Sequence, residues 1–116
     1  MSKIRSKVRF VGQNFDDPTV RGFEAKWAVP RVIRAEYTIV HDEKVTPQEI
    51  AEDAFCVFNA PDECLSENQI RRKGTYRGYS LSVGDIVTIH RDGVLLCQCL
   101  CCPSGWEIRY HKVTIS

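Results

Sequence analysis

The chain has no long apolar run, a single methionine, five prolines and almost no excess of charge of either sign. Apolar stretches such as residues 94–97 stop after a few positions, far short of the ~20 residues of a membrane-spanning helix, so no membrane partner is expected. The basic start, Met1-Ser2-Lys3-Ile4-Arg5-Ser6-Lys7, leads into no extended apolar segment. It does not read as a secretory signal, and the cytoplasm of the cell that makes the chain is the expected location. There is no Gly-rich phosphate loop, no His-Glu-x-x-His and no pair of carboxylates on a strong helix face, so no catalytic residue is identified and no cofactor is expected. What is present is 116 residues of ordinary globular composition, 43% hydrophobic, which reads as a single domain over 1–116. At this length roughly two-thirds of the unfolded chain's surface is buried on folding, enough for a core without metal or disulfides.

The net charge of +1 hides blocks. Residues 1–40 carry 8 basic and 4 acidic side chains, residues 41–70 carry 1 and 8, and residues 71–116 carry 7 and 3. Such blocks steer partners or simply reflect one acidic helix in a small α+β domain. Six cysteines invite a disulfide or zinc reading, but four of them stand in Cys97-Gln98-Cys99-Leu100-Cys101-Cys102, which reads as a strand. Alternate strand residues are about 6.6 Å apart, whereas two thiolates on one zinc need sulfurs roughly 3.8 Å apart. Plain packing is therefore expected, with Cys97, Cys99 and His111 as the weak metal candidates and a reactive thiol as the other alternative. Of the three histidines, His41, His90 and His111, only His111 has a thiol near it in the expected pairing.

Lys3 to Phe10 alternates, with Lys3, Arg5, Lys7 and Arg9 on one face and Ile4, Val8 and Phe10 on the other, which predicts a strand. Its basic face suits either a phosphate backbone or a solvated sheet surface that discourages edge pairing. Residues 27–41 fit both periods, and their β-branched content favours a strand. Thr46-Pro47-Gln48-Glu49 is a capping box with proline at the first helical position, so a helix is predicted over about 47–58 with Ile50, Ala54, Phe55 and Phe58 along one face. Residues 59–79 read as an extended connection containing the basic run Arg71-Arg72-Lys73 and one turn of helix after Ser66. Ser82 and Asp85 read as turn residues, Asp92-Gly93 as a two-residue hairpin, and Pro103-Ser104-Gly105 as the next turn. Residues 85–112 then form a β-meander in which Thr88 faces Cys97 and Cys97 faces His111, with Val87, Ile89, Leu96, Leu100 and Ile108 under the helix. The predicted fold is α+β: a mostly antiparallel twisted sheet or partial barrel, one main helix and a C-terminal meander.

The strings Phe58-Asn59-Ala60-Pro61-Asp62 and Tyr76-Arg77-Gly78-Tyr79-Ser80-Leu81-Ser82-Val83-Gly84-Asp85-Ile86-Val87, followed by a glycine hairpin and Gly105-Trp106, resemble the YodL-like family over about residues 55–108. That family often has Arg where Tyr79 stands, Ser or Gly at the place of Gly84, and tyrosines in the strand that here reads Leu95-Leu96-Cys97-Gln98-Cys99. The resemblance implies a phage or mobile-element setting and brings no established activity. Arg77, Tyr79 and Trp106 mix cation and aromatic surface beside turns, as protein-binding hot spots do. The expectation is a non-enzymatic accessory protein that binds a host or element-encoded protein and counters host defence. The alternative is a nucleic-acid-binding module built on Lys3, Arg5, Lys7, Arg9, Arg71, Arg72 and Lys73. A small-ligand-binding or sequestering role has no residue pattern of its own.

Overall fold

In the computed structural model, which describes residues 3–20 and 22–111, alternation writes the first strand, β1 (Lys3–Gln13). Ser6, Val8 and Phe10 are fully buried, while Lys3, Arg5, Lys7 and Arg9 point to the opposite face. The strand is paired on both sides, with β2 (Arg31–Asp42) and with β3 (Ile86–Arg91). Its cations therefore decorate a face and guard no edge. β4 (Val94–Cys102) and β5 (Gly105–Tyr110) complete an open antiparallel sheet of order β2-β1-β3-β4-β5.

One face of this sheet packs on α1 (Pro47–Asn59). The capping box is formed: the Glu49 amide donates to Thr46 Oγ1 at 3.2 Å and the Thr46 amide donates to the Glu49 carboxylate at 3.4 Å. The buried stripe is Ile50, Ala51, Ala54, Val57 and Phe58, whereas Phe55, expected inside, is 41% exposed. Against it pack Val8, Phe10, Tyr37, Ile39, Val87 and Ile89 with the cysteines of β4. A second capping box, Ser66 with Gln69, starts α2 (Glu67–Lys73), two turns where the sequence suggests one. Gln69 and Arg72 both bond the Asp53 carboxylate, fastening α2 to α1.

The meander turns where expected, and Val87, Ile89 and Ile108 lie on the helix-covered face as expected, but the faces of β4 are exchanged. The hairpin at Asp92-Gly93 pairs Arg91 with Val94 and His90 with Leu95, and then Leu96 is skipped so that Ile89 pairs with Cys97. This bulge, together with a two-residue turn that pairs Cys102 with Gly105, sets Thr88 opposite Gln98 and Cys97 opposite Tyr110. Neither Thr88 nor His111 faces Cys97 across the ladder. A one-residue slip moves every side chain to the other face: Cys97, Cys99 and Cys101 enter the core, and Leu96 and Leu100 go to the side expected of the thiols. The last strand ends at Tyr110, and Lys112, predicted within it, lies outside the described residues.

Two polar groups in this frame yield tests. The Asp85 carboxylate is buried and accepts from the Gln13 amide at 3.0 Å and the Ser82 amide at 2.8 Å, closing its own turn and tying the end of β1 to it. Asp85→Ala leaves both amides unpaired and should cost about 2–4 kcal/mol in urea unfolding, with Asp85→Asn recovering about half by accepting one of them. The Tyr37 hydroxyl, by contrast, is buried with no partner among the described residues, and burial pushes its pKa far up. Tyr37→Phe removes the desolvated group and should leave stability unchanged or raise it by up to about 1 kcal/mol in the same measurement.

Candidate functional site

The most unusual surface gathers around the long connection of residues 14–30. Arg31 donates to the carbonyls of Lys26, Trp27, Val29 and Gly84 and so pins the end of this loop against the Ser82 to Asp85 turn. Burial lowers the Arg31 pKa, with the Asp85 charge opposing the shift. Further along, the Trp27 indole donates to Glu107 at 3.1 Å and carries the Arg109 guanidinium 4.1 Å from its ring, which holds the loop to β5.

A second bulge sets the charged partner of this surface. Phe10 pairs with Ala35 and Val11 with Ile33, so Arg34 is the extra residue of β2. Freed from the alternation, Arg34 bonds the Gln13 carbonyl at 2.6 Å and lies 4.7 Å from the Tyr79 ring and 5.9 Å from the Phe15 ring. Phe15 meets Tyr79 at 5.2 Å and Phe23 at 5.9 Å, each edge to face. Phe23 and Phe55 then line one groove of about 530 Å³, floored by Leu81, Cys101, Cys102 and Pro103. On the far side Phe55 meets Trp106 at 6.5 Å. The result is an aromatic belt running Tyr79, Phe15, Phe23, groove, Phe55, Trp106. Phe23, Tyr79 and Phe55 are exposed, at 64%, 59% and 41%, while Phe15 and Trp106 are half-buried.

Among the residues singled out from sequence, Tyr79 and Trp106 thus stand at opposite ends of one belt. Trp106 is half-buried and packs on the core as well. Arg77 is exposed beside Tyr79, bonding the Tyr76 carbonyl at 2.8 Å, while the Tyr76 hydroxyl bonds the Tyr79 carbonyl and its ring packs on Phe10 and Phe58. Sequence reasoning missed Phe15, Phe23, Arg34 and Phe55. The available signal was three aromatics, Phe15, Phe23 and Trp27, in a long connection with no strand or helix pattern.

The basic candidates fall elsewhere and are largely engaged. Arg5, Lys7 and Arg9 line a groove of about 410 Å³ with Thr38 and His90 on the sheet face away from α1. Glu36 bonds Arg9 at 2.6 Å and lies 3.6 Å from Lys7, and the Arg9 bond holds the Glu36 carboxyl below its ordinary range. Burial, reinforced by Arg9, lowers His90, so it adds no charge to the groove near neutral pH. Arg72 is paired with Asp53, Lys73 with Asp62 and Arg71 with Glu67. Three of the eight acids of the middle block are thus matched by the basic run that follows it. Lys3 and Arg5 remain the outward cations of β1 with no acidic partner among the described residues.

Cys97, Cys99 and Cys101 are buried on the core face of β4. Among the described residues no three His, Cys, Asp or Glu side chains assemble as a metal-holding group, and His111 meets β4 through its amide, which donates to the Leu96 carbonyl at 2.8 Å. No described helix is long and apolar enough to cross a membrane. Comparison with protein-family models, with curated proteins and with solved structures gives no match for this chain.

Proposed function

We propose that this chain is a non-enzymatic accessory protein that docks another protein on its aromatic belt, in the cytoplasm of a host cell. The phage or mobile-element setting, and with it a role against host defence, rests on the YodL-like resemblance alone. The single observation that carries the docking reading is the groove between Phe23 and Phe55, continuous through Phe15 with Tyr79. Exposed rings around an apolar groove, with Arg34 and Arg77 at one end, have the composition of an interface hot spot and little reason to stay exposed otherwise. The occupant that fits is a protein segment presenting an apolar side chain to the groove and a carboxylate to Arg77. The basic strand supports the nucleic-acid reading less well, because Glu36 neutralises part of it.

The test is capture of partners by tagged protein from the source cell, run in parallel with nuclease-treated extract. The expected result is a protein retained after nuclease treatment and lost on Phe23→Ala with Tyr79→Ala. Binding that disappears with the nucleic acid would overturn the proposal.

A further inference from the structure

The groove of about 410 Å³ on the sheet face away from α1 shares no residue with the aromatic belt, and the strand register explains how it is built. Lys7 pairs with Thr38 on one side and with His90 on the other, and His90 pairs in turn with Leu95. Thr38, Lys7, His90 and Leu95 therefore form one row across four strands, and all four line the groove. Arg5 and Arg9 line it too, one repeat before and after Lys7 on the same face, about 6.6 Å along β1. Three cations thus overlook one row. His90 is anchored by a 2.9 Å hydrogen bond with Thr88, and the row itself sits on paired strands, a firmer support than a loop.

The chain supplies its own example of an anion held by these side chains. Glu36, paired with Arg9 across the ladder, bonds Arg9 at 2.6 Å and lies 3.6 Å from Lys7, so one carboxylate spans two of the three cations. A carboxylate ligand would only exchange with it. A phosphate monoester brings a charge of about −1.5 to −2 and three acceptor oxygens, enough to engage Lys7, Arg5 and the Thr38 hydroxyl together. The groove is also larger than a phosphate needs, within the roughly 300–1,000 Å³ of small-molecule pockets. Leu95 offers an apolar wall for an attached organic group.

We propose that this groove binds a small phosphate monoester, with Arg5, Lys7 and Arg9 holding the dianion, Thr38 donating to it, and Leu95 covering the organic part. A nucleic-acid strand fits the same cations less well, because its singly charged phosphates call for a continuous basic path. Here the path is interrupted by Glu36 beside Arg9, by Asp92 at the hairpin turn and by Asp42 opposite Lys3. Glu36 competes with the ligand for Lys7 and Arg9, so its removal and the removal of a cation act in opposite directions.

The experiment titrates the full chain with phenyl phosphate by calorimetry slightly above neutral pH, with phenyl sulfate as the singly charged ligand of the same shape. Phenyl phosphate should bind at one site, and phenyl sulfate about tenfold or more weakly. Lys7→Gln should weaken phenyl phosphate about tenfold, the loss of one charged hydrogen bond. Glu36→Gln should tighten it about threefold, by releasing the cations from an exposed ion pair. Lys3→Gln, on the same strand and face but outside the groove, should leave affinity unchanged. Lys7 and Glu36 are 46% and 41% exposed, so both variants should fold; tighter binding by Glu36→Gln is in any case a gain that a damaged fold would not produce. No binding of phenyl phosphate, equal binding of phenyl sulfate, equal losses in Lys3→Gln and Lys7→Gln, or weaker binding in Glu36→Gln would overturn the proposal. A single-stranded oligonucleotide bound more tightly than phenyl phosphate would overturn it in favour of a nucleic-acid surface.

Discussion

Gly84→Ala should cost about 3–5 kcal/mol, a large share of typical stabilities of about 5–15 kcal/mol. Gly84 has φ +94°, where an L side chain is strained by about 1–3 kcal/mol. Strain is only part of the cost. An added Cβ would fall on the Gln13 side-chain amide and 2.5 Å from the Glu24 carbonyl oxygen, and relieving such overpacking typically costs about 1–3 kcal/mol more. The backbone at this point has no freedom to move away, because the Gly84 amide donates to the Cys101 carbonyl at 2.9 Å and the Gly84 carbonyl receives Arg31. Three parts of the fold, the end of β1, the end of β4 and the pinned loop, meet at this one residue. Gly93 is the control: its φ is +78° but a Cβ there meets open space. Gly93→Ala should therefore cost only the strain, about 1–2 kcal/mol. Chemical denaturation of the two variants checks the difference, and equal losses would show that crowding at Gly84 is relieved by movement of the loop.

The elements that sequence made legible are those with local chemistry. The Thr46 capping box places α1, the Lys3 to Phe10 alternation places β1, and Asp92-Gly93 places the hairpin. What stayed illegible was the pair of bulges. In the segment Leu95-Leu96-Cys97-Gln98-Cys99 either parity offers apolar side chains to the core, so the pattern does not select the register, and the skipped Leu96 then reverses the faces of β4 beyond it. Arg34 is hidden in the same way, since nothing in Ile33-Arg34-Ala35 marks a residue out of the ladder. The belt was half legible. Tyr79 and Trp106 read as surface aromatics beside turns, but Phe23 meets Phe15 and Phe15 meets Tyr79 across a long loop, an arrangement with no local signature. Phe55 read as core because it sits between Ala54 and Phe58 in an apolar run, and only the packed helix shows it turned outward.

Phe23→Ala combined with Tyr79→Ala should weaken partner binding about 100-fold or more, since hot-spot truncations cost about 2 kcal/mol or more each. Both rings are more than half exposed, at 64% and 59%, so their removal should leave the fold intact. Trp106 is left in place for the opposite reason: it packs on the core, and its loss would confound binding with stability. The comparison is the quadruple reversal of Lys3, Arg5, Lys7 and Arg9 to glutamate, which lies on the sheet face away from α1 and should change binding only a few-fold. Because the new glutamates at 7 and 9 would stand beside Glu36, folding of that variant is checked first by circular dichroism. The salt response separates the mechanisms further. A binder of single-stranded nucleic acid using these four cations should show log affinity falling with log salt at a slope of about −3, whereas docking of an apolar side chain into the groove should be nearly flat. If the reversed variant alone loses binding and the slope is steep, the basic strand is the functional surface and the aromatic belt is not.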